Sequence, residues 1–327
     1  MLHIKKYYWK GVLLLFGLLY GCAGKESLQP NKVLPATLEY IHKDPELSLL
    51  AQALNRSGLD KALAEGNVTV FAPTDSAFLA TGWDKEKINQ LSPDSLRFVL
   101  SYHIAPGVIS SENIAGFYRT FPITLNPDFK PNISKNYLGL FFNGARIRTG
   151  NLKMGDGVIH KMGMISFPPT DSLLTTLYRQ PDLTIFSAIV KRCATLRKGL
   201  VKENVTLMAP NDKAFRDSGY MSIEQIGRED TTKLIKLCWS YIGSTYLGRL
   251  YGSDFIGGKI FRTDYLSLPD GYLFAGYNIS VDGTEIQPLT SDLLSGRSHM
   301  TVSPKLLRGN ILSKGGIIHT INMAFRP

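Results

Sequence analysis

Histidine is the residue type in this chain best suited to acid–base catalysis or metal binding, because its side chain titrates near neutral pH. Beyond His3, the histidines are His42, His103, His160, His299 and His319. No two of them have the spacing of a metal-ligand motif such as HExxH. His160 and His319 each follow two β-branched residues, which predicts a half-buried ring hydrogen-bonded to the backbone. We therefore predict a structural role for both and no metal site.

Motifs for covalent catalysis are missing from the sequence, which contains no GxSxG elbow, no Gly-rich phosphate loop and no EF-hand loop. The 27 acidic residues leave one enzymatic alternative open, a carboxylate pair that processes polysaccharides, because such pairs are assembled in space. Asp75 and Asp212 each lie between a strand pattern and a helix pattern, where a helix cap is the expected role. We predict a non-catalytic protein that needs no cofactor.

Cys22 is the residue for which the sequence predicts a covalent modification. It follows a cationic segment, 5–10, and an apolar run, Val12–Tyr20. A nine-residue helix is about 14 Å long and cannot cross a hydrocarbon layer of ~30 Å, which favours a signal sequence. Residues 19–22 (LYGC) resemble a bacterial lipobox, whose cysteine thiol is acylated. We predict a lipoprotein-type signal peptide over 1–21 and lipidation at Cys22.

The predicted anchor also predicts the location. Residues 22–35 are polar, contain two prolines and are expected to form a flexible tether. We expect the chain in the cell envelope, anchored to the outer membrane. Lys25-Glu26 resembles the export signal of outer-surface lipoproteins in the Bacteroidetes, which would expose the chain on the cell surface. The alternative is a plain signal peptide in which Cys22 is incidental.

The other two cysteines, Cys193 and Cys238, fall on the apolar sides of two amphipathic helix patterns. Three cysteines in all cannot form a disulfide framework or a four-cysteine zinc site. Free buried cysteine behaves as a small apolar residue, and we expect that role here. A disulfide between the two stays open as the alternative, because an exported protein can form one.

The elements that must position these residues occur twice along the chain. Three motifs repeat: VTVFAPTDSAF (68–78) as VTLMAPNDKAF (205–215), SY (101–102) as SY (240–241), and GVIH (157–160) as GIIH (316–319). Three matches in the same order indicate two homologous modules, each long enough to own a core. We call 36–168 the first repeat and 169–327 the second repeat. The growing offset places about 20 extra residues between Tyr241 and His319 in the second repeat.

Each repeat begins with helix patterns and continues with strand patterns. In the first repeat, Asp44-Pro45 predicts a helix start, and the residues that follow have the 3.6-residue apolar stripe of an amphipathic helix. Residues 68–72 predict a strand, which Pro73 ends. From 104 to 167, short strand patterns alternate with glycine. This order predicts an α+β fold for both repeats.

With these motifs the chain resembles the fasciclin (FAS1) family over residues 36–327. The family's motifs match Thr69–Phe78, Thr206–Phe215, Gly157–Met162 and Gly316–Ile321, and its tyrosine-histidine pair matches Tyr102-His103. The resemblance implies α+β modules, each a wedge of short β-strands packed with a helical cluster, that act outside cells in adhesion or in binding. The second repeat departs from the pattern, because Ile242 stands where the family has histidine.

The net charge and the aromatic residues indicate which kinds of binding partner the sequence favours. The net charge is +10, and loss of the three lysines in 1–21 leaves +7. Lysines in 191–202 recur at helical spacing and predict a solvated face; no stacking motif accompanies them, so we expect no nucleic-acid binding. Aromatic-rich segments at 117–142 and 246–277 would suit a binding face, but strand packing is the expected role.

The sequence thus predicts a tandem fasciclin-like lipoprotein that catalyses no reaction. Its expected function is adhesion, or binding of an extracellular glycan or protein, with the membrane as a second partner through Cys22. Two modules in series can raise avidity for a repeated ligand. The alternatives are a structural subunit of an envelope complex and the carboxylate-based polysaccharide-processing enzyme.

Overall fold

The computed structural model shows helices and strands in both repeats. The residues it describes are 34–114, 119–220, 222–244, 249–254 and 305–324, with the backbone of short strands between 260 and 289. Cys22, the predicted signal peptide and nearly all of the predicted tether lie outside the described residues. So do most of the predicted insertion and most of the aromatic segment 246–277.

The helices come first in each repeat, as predicted. Those of the first repeat are α1 (Thr37–Lys43), α2 (Ser48–Ser57), α3 (Asp60–Ala64), α4 (Asp75–Ala80), α5 (Lys85–Gln90) and α6 (Pro93–Leu100). Those of the second repeat are α7 (Leu173–Tyr178), α8 (Thr184–Arg192), α9 (Ala194–Leu200), α10 (Asp212–Asp217), α11 (Ile223–Arg228) and α12 (Thr231–Trp239). Short 3₁₀ turns follow at Ser101–His103, Ser111–Asn113 and Gly252–Asp254.

The strands form separate sheets in the two repeats. The first repeat contains β1 (Val68–Pro73), β2 (Ile104–Pro106), β3 (Arg119–Thr120), β4 (Ile133–Asn136), β5 (Gly139–Phe142), β6 (Ala145–Lys153) and β7 (Gly157–Met162). The second contains β8 (Val205–Pro210), β9 (Ile242–Ser244), β10 (Ile260–Arg262), β11 (Leu266–Leu268), β12 (Gly271–Leu273), β13 (Gly276–Ile279), β14 (Ile286–Leu289), β15 (Leu306–Leu312) and β16 (Gly316–Ile321). The sheet orders are β2-β1-β7-β6-β5-β4-β3 and β15-β16-β8-β9, with short ladders β10-β13-β14 and β11-β12.

A parallel strand pair lies in the middle of each main sheet. β1 pairs with β7 and β8 pairs with β16, each over six residues, and all four strands are buried along their length. A Cβ atom added at Gly157 would lie 2.3 Å from the carbonyl oxygen of Val68, and one at Gly316 would lie 2.5 Å from that of Val205. Glycine therefore opens the second motif because the neighbouring backbone occupies the space of a side chain.

The core of the first repeat lies on both faces of β1. Val70 and Ala72 pack into a cluster with the helices, while Phe71 points into a second cluster with Tyr102 and Phe142. This alternation is the period of two expected for a strand covered on both sides. In the second repeat one cluster joins the helices to β8 and β16. The α+β fold predicted from the sequence is confirmed.

Two local predictions were wrong. Asp44-Pro45 does not start α2, which begins at Ser48, because Asp44 forms a turn by accepting the backbone N–H of Glu46 and pairs with the Lys161 ammonium at 2.6 Å. The amphipathic pattern that includes Cys193 predicted that this residue lies within a helix. The backbone is instead extended at Cys193, with φ −101° and ψ 103°, and separates α8 from α9.

Candidate functional site

His160 holds a bulge in the strand beside it. β6 pairs with β7, and its register shifts between Thr149 and Leu152. Asn151 lies in this bulge with a left-handed φ of 57°, and its backbone N–H donates to Nδ1 of His160 at 3.1 Å. The opposite ring nitrogen, Nε2, donates to the carbonyl oxygen of Ile109 at 2.8 Å. We call these residues, Ile109, Asn151 and His160, the first clamp.

The clamp fixes the protonation state of its histidine. A backbone N–H can only donate and a carbonyl can only accept, so His160 is neutral with its proton on Nε2. The ring is 0% exposed, and burial lowers its pKa. The predicted structural role is confirmed, although the ring is fully buried and not half-buried. The side chain of Asn151 completes the arrangement by accepting the backbone N–H of Ser111 at 2.9 Å.

The second repeat builds the same arrangement from Leu250, Asn310 and His319, which we call the second clamp. Asn310 has φ 60°, and its backbone N–H donates to Nδ1 of His319 at 3.4 Å. Nε2 of His319 donates to the carbonyl oxygen of Leu250 at 2.8 Å. Burial lowers the pKa of His319 to about 4. The two clamps therefore join a bulge to a loop in both repeats.

The sequence contains a signal for the clamps that the spacing of the histidines does not reveal. A Gly-Asn pair stands nine residues before the histidine in both repeats, as Gly150-Asn151 and Gly309-Asn310. Asparagine tolerates the left-handed backbone of the bulge. A Cβ atom added at Gly309 would lie 3.1 Å from Nδ1 of His319, so the glycine leaves room for the ring.

The Tyr102-His103 pair is buried in the first repeat. Nδ1 of His103 donates to the carbonyl oxygen of Val99 at 3.0 Å, and its Nε2 accepts the backbone N–H of Ser166 at 3.1 Å. The ring stacks on Phe142, with centroids 5.3 Å apart, and burial lowers the pKa of His103 to about 4. The Tyr102 hydroxyl accepts a hydrogen bond from Asn143, and burial raises its pKa. Both side chains thus stabilise the core instead of facing a ligand.

Asp75 and Asp212 are helix caps, but for helices other than their own. Asp75 accepts the backbone N–H of Leu49 at 2.9 Å and therefore caps α2. Asp212 accepts that of Ile185 at 2.8 Å and caps α8. The helix-cap role predicted for both is confirmed, although each carboxylate caps the helix before the strand and not the helix after it. Asn211 caps α10, since its side chain accepts the backbone N–H of Ala214.

The two repeats contact each other directly. The described residues of both repeats belong to one compact unit. Ser134 Oγ lies 3.2 Å from Ser253 Oγ, and the Asn136 side chain donates to the carbonyl oxygen of Ser253 at 3.0 Å. A Cβ atom added at Gly144 would lie 2.6 Å from the Asn310 side chain, so the second clamp also touches the first repeat. Hydrogen bonds therefore hold the repeats together in addition to the chain that links them.

The remaining residues that the sequence analysis singled out are the two cysteines and the aromatic segments. Cys193 and Cys238 are buried free thiols, and burial raises the pKa of each. Within the described ranges, no cluster of three or more histidine, cysteine or carboxylate side chains could hold a metal ion. No helix in that part of the chain is long and apolar enough to cross a membrane. In the aromatic segment 117–142, Phe142 is buried, whereas Phe121 and Tyr137 are exposed.

Comparison with known proteins agrees with this architecture. A family model described as the fasciclin domain matches residues 45–165. Protein sll1483 of a Synechocystis strain is 31% identical over 133 residues, which are 37% of this chain and 67% of that protein. This chain belongs to the fasciclin family. A fasciclin-like arabinogalactan protein of the fungus Arthroderma benhamiae is 26% identical over 309 residues, which are 88% of the chain.

The chain spans 66% of the length of that fungal fasciclin protein. Among solved structures, the FAS1 domain pair of the insect cell adhesion molecule fasciclin I covers 85% of this chain and 95% of its own length. Its sequence identity is 13% and its TM-score is 0.37.

The fasciclin motifs of this chain build its interior. Thr69 of the first motif donates to the carbonyl oxygen of Gly107 and accepts the backbone N–H of Ile109. Its counterpart Thr206 accepts the backbone N–H of Leu250, which belongs to the second clamp. Both threonines are 0% exposed. These two motif threonines are therefore part of the interior, where they hold the loops at Ile109 and Leu250.

Proposed function

We propose that this fasciclin protein is a non-catalytic, lipid-anchored protein of the cell envelope that acts in adhesion or binds an extracellular glycan or protein. One observation supports the proposal above the others. The histidines at the motif positions of both repeats are buried and spend their ring nitrogens on backbone hydrogen bonds. Because these histidines have a structural role, they support a scaffold that binds its partner through other, exposed residues. Membership of the fasciclin family points in the same direction.

The enzymatic alternative receives less support from the described residues. Glu224 and Glu229 line a shallow groove beside α11, where a carboxylate pair could meet a sugar. A hydrogen bond with Ser222 lowers the pKa of Glu224, and one with Lys233 lowers that of Glu229. A glycosidase needs one carboxylic acid with a raised pKa as its proton donor. The pKa is lowered for both Glu224 and Glu229, so neither can serve as that proton donor.

The test of binding uses the full chain in detergent micelles on an array of glycans and matrix proteins. We expect saturable binding to at least one surface, with no release of new reducing ends from the polysaccharides. Release of reducing ends would overturn the non-catalytic assignment. A silent array together with recovery of the chain in a stable envelope complex would favour the structural-subunit alternative.

The anchor has its own test. Cys22→Ser, expressed in a bacterium with the lipoprotein pathway, should move the chain from the detergent phase to the aqueous phase on phase separation. Cys193→Ser serves as the control, since that thiol is buried in the second repeat. Equal partitioning of both variants would count against lipidation at Cys22.

A further inference from the structure

The first repeat has a groove lined by residues of α1, α2 and α5, which we call the amide groove. It is open to solvent and has a volume of about 590 Å³. Five of its six lining side chains are polar, and none is a carboxylate or a lysine. The groove therefore offers hydrogen bonds more than charge. The lining residues are His42, Ala51, Gln52, Asn55, Arg56 and Asn89.

The sequence of α2 brings three of these side chains to one face of the helix. Gln52, Asn55 and Arg56 are spaced at i, i+3 and i+4, so they are neighbours on its surface. The face turned away from them belongs to the core, since Leu54 is 0% exposed. Gln52 reaches across to α5, where its Nε2 donates to Oδ1 of Asn89 at 2.8 Å. The two helices therefore present their amide side chains to the same space.

Some hydrogen-bonding groups of the groove are already used within the protein. Besides its bond to Asn89, Nε2 of Gln52 donates to the carbonyl oxygen of Lys85 at 3.1 Å. Arg56 donates from Nε and from Nη2 to the carbonyl oxygen of Leu91, at 3.1 and 2.9 Å. These bonds join α2 to both ends of α5. They fix the walls of the groove before any ligand arrives.

Other groups in the groove are available to a bound molecule. Within the part of the chain that the structure describes, the His42 ring and the Asn55 amide have no hydrogen-bond partner. Nδ2 of Asn89 and Oε1 of Gln52 are likewise unused, since the bond between these two residues takes the opposite atoms. Asn55 can both donate and accept, Asn89 Nδ2 donates, and Gln52 Oε1 accepts. The groove thus combines free donors with free acceptors.

The second repeat has lost this combination at the matching place. The helices α1, α2 and α5 correspond to α7, α8 and α11, and the caps Asp84 and Ser222 align the last pair by each accepting from the third residue after it. In the second repeat the ammonium of Lys191 lies 4.8 Å from the centroid of the Tyr178 ring. These two residues replace Asn55 and His42. The other two amides are also absent, since Ala188 and Gly227 replace Gln52 and Asn89.

We propose that the amide groove binds a neutral glycan through hydrogen bonds to the hydroxyl groups of its sugar rings. The inference rests on the proposed binding function and names the class of ligand and the repeat that binds it. A sugar hydroxyl both donates and accepts a hydrogen bond, which matches the mixed free groups of Gln52, Asn55 and Asn89. The first repeat is therefore the glycan-binding repeat.

The chemistry of the groove favours a sugar over an anion or a peptide. Arg56 is the lining residue with a permanent charge, and two of its N–H groups are already bonded to Leu91. An anionic polymer would find no lysine here. Ala51 is the apolar lining residue and is 8% exposed, so the groove lacks the deep apolar pocket that anchors a large side chain of a protein partner.

The experiment measures binding of maltohexaose, mannohexaose and chitohexaose to the full chain by titration calorimetry, in micelles of a detergent without a sugar headgroup. The test variant is Asn55→Ala/Asn89→Ala. The matched control is Gln90→Ala/Asn113→Ala, which removes two exposed amides of the first repeat that do not line the groove. We expect at least one hexaose to bind the wild type. The test variant should lose roughly tenfold or more in affinity, and the control should stay within about twofold.

A second variant fills the groove instead of emptying it. His42→Tyr/Asn55→Lys copies the pair that occupies the matching place in the second repeat, and we expect it to lose binding as the alanine variant does. All four substituted residues of the test and control variants are exposed, so each variant should unfold at nearly the same urea concentration as the wild type. Binding should change little as salt is raised, because it depends on uncharged groups.

Several outcomes would overturn the inference. Equal losses of affinity in the test and control variants would place the binding site elsewhere. Tighter binding of heparin than of any hexaose, weakened by salt, would show that the ligand is an anion. Failure of all three hexaoses beside saturable binding of a protein or a charged glycan would sink this inference while leaving the proposed function standing. Failure to bind any glycan or protein would count against both.

Discussion

The two repeats share the clamp and the central parallel strand pair, but they differ at several buried positions, among them Phe71 and Met208. Both contain a clamp, in which a histidine holds a bulge through the backbone of Asn151 or Asn310. Only the first has a histidine after its buried tyrosine, since Ile242 occupies the place of His103 in the second. The second repeat therefore builds the same central strand pair without a histidine at the position of His103.

The largest effect is expected from breaking a clamp. His160→Ala or His319→Ala leaves a cavity and unpairs a buried backbone N–H and a buried carbonyl. We expect each to lower the free energy of unfolding by about 3–5 kcal/mol. Urea unfolding measures the loss, and hydrogen exchange at Asn151 and Asn310 shows which repeat has opened. His42→Ala is the control, because that side chain is exposed and should change stability by less than ~0.5 kcal/mol. A clamp variant that behaves like the control would mean that the histidine is dispensable.

A second prediction concerns His103, a buried position at which the two repeats differ. Burial lowers the pKa of His103 to about 4, against ~6.5 for an exposed histidine. Between these values the unfolded chain binds a proton that the folded chain does not. The free energy of unfolding therefore falls as the pH falls from 6.5 towards 4, by up to about 1.4 kcal/mol per pH unit for this histidine.

His103→Ile copies the second repeat into the first and tests this account. At pH 7 it should cost about 2–3 kcal/mol, because the carbonyl oxygen of Val99 and the N–H of Ser166 lose their partner. The variant should also lose one proton from the pH dependence of unfolding, while His160 and His319 keep theirs. Urea unfolding at several pH values between 4 and 7 measures both quantities. An unchanged slope would show that His103 does not titrate with folding.

Contacts between residues close in the sequence could be predicted from local patterns, whereas contacts between residues distant in the sequence could not. The cap at Asn211 follows from a local rule, because the residue accepts from the third residue after it. The true partner of Asp75 is Leu49, 26 positions away, and no local pattern encodes that contact. The helix break at Cys193 escaped because the apolar spacing continues across it. The clamps had a local signal, the repeated Gly-Asn pair, but their carbonyl partners lie 51 and 69 residues from the histidines.

The smallest expected effect is the difference in stability loss between removing the Asp75 cap and removing the Asp212 cap. Asp75 and Asp212 each accept a backbone N–H and a hydroxyl at the start of a helix, from Ser48 in α2 and from Thr184 in α8. Asp212 is 8% exposed, whereas Asp75 is partly open to water, which can replace its carboxylate. We expect Asp75→Ala to cost about 1 kcal/mol and Asp212→Ala about 2 kcal/mol in urea unfolding.

Asp217→Ala is the matched control for these caps, since its carboxylate is exposed and pairs with Lys213 along the same helix. Such a pair contributes ~0.5 kcal/mol or less. The comparison is informative because each cap accepts one hydroxyl and one backbone N–H, and the two carboxylates differ in their access to water. Equal losses at Asp75 and Asp212 would mean that water does not replace the missing carboxylate in the first repeat. A larger loss of unfolding free energy for Asp75→Ala would contradict the expected order and show that the start of α2 depends more on its cap than the start of α8 does.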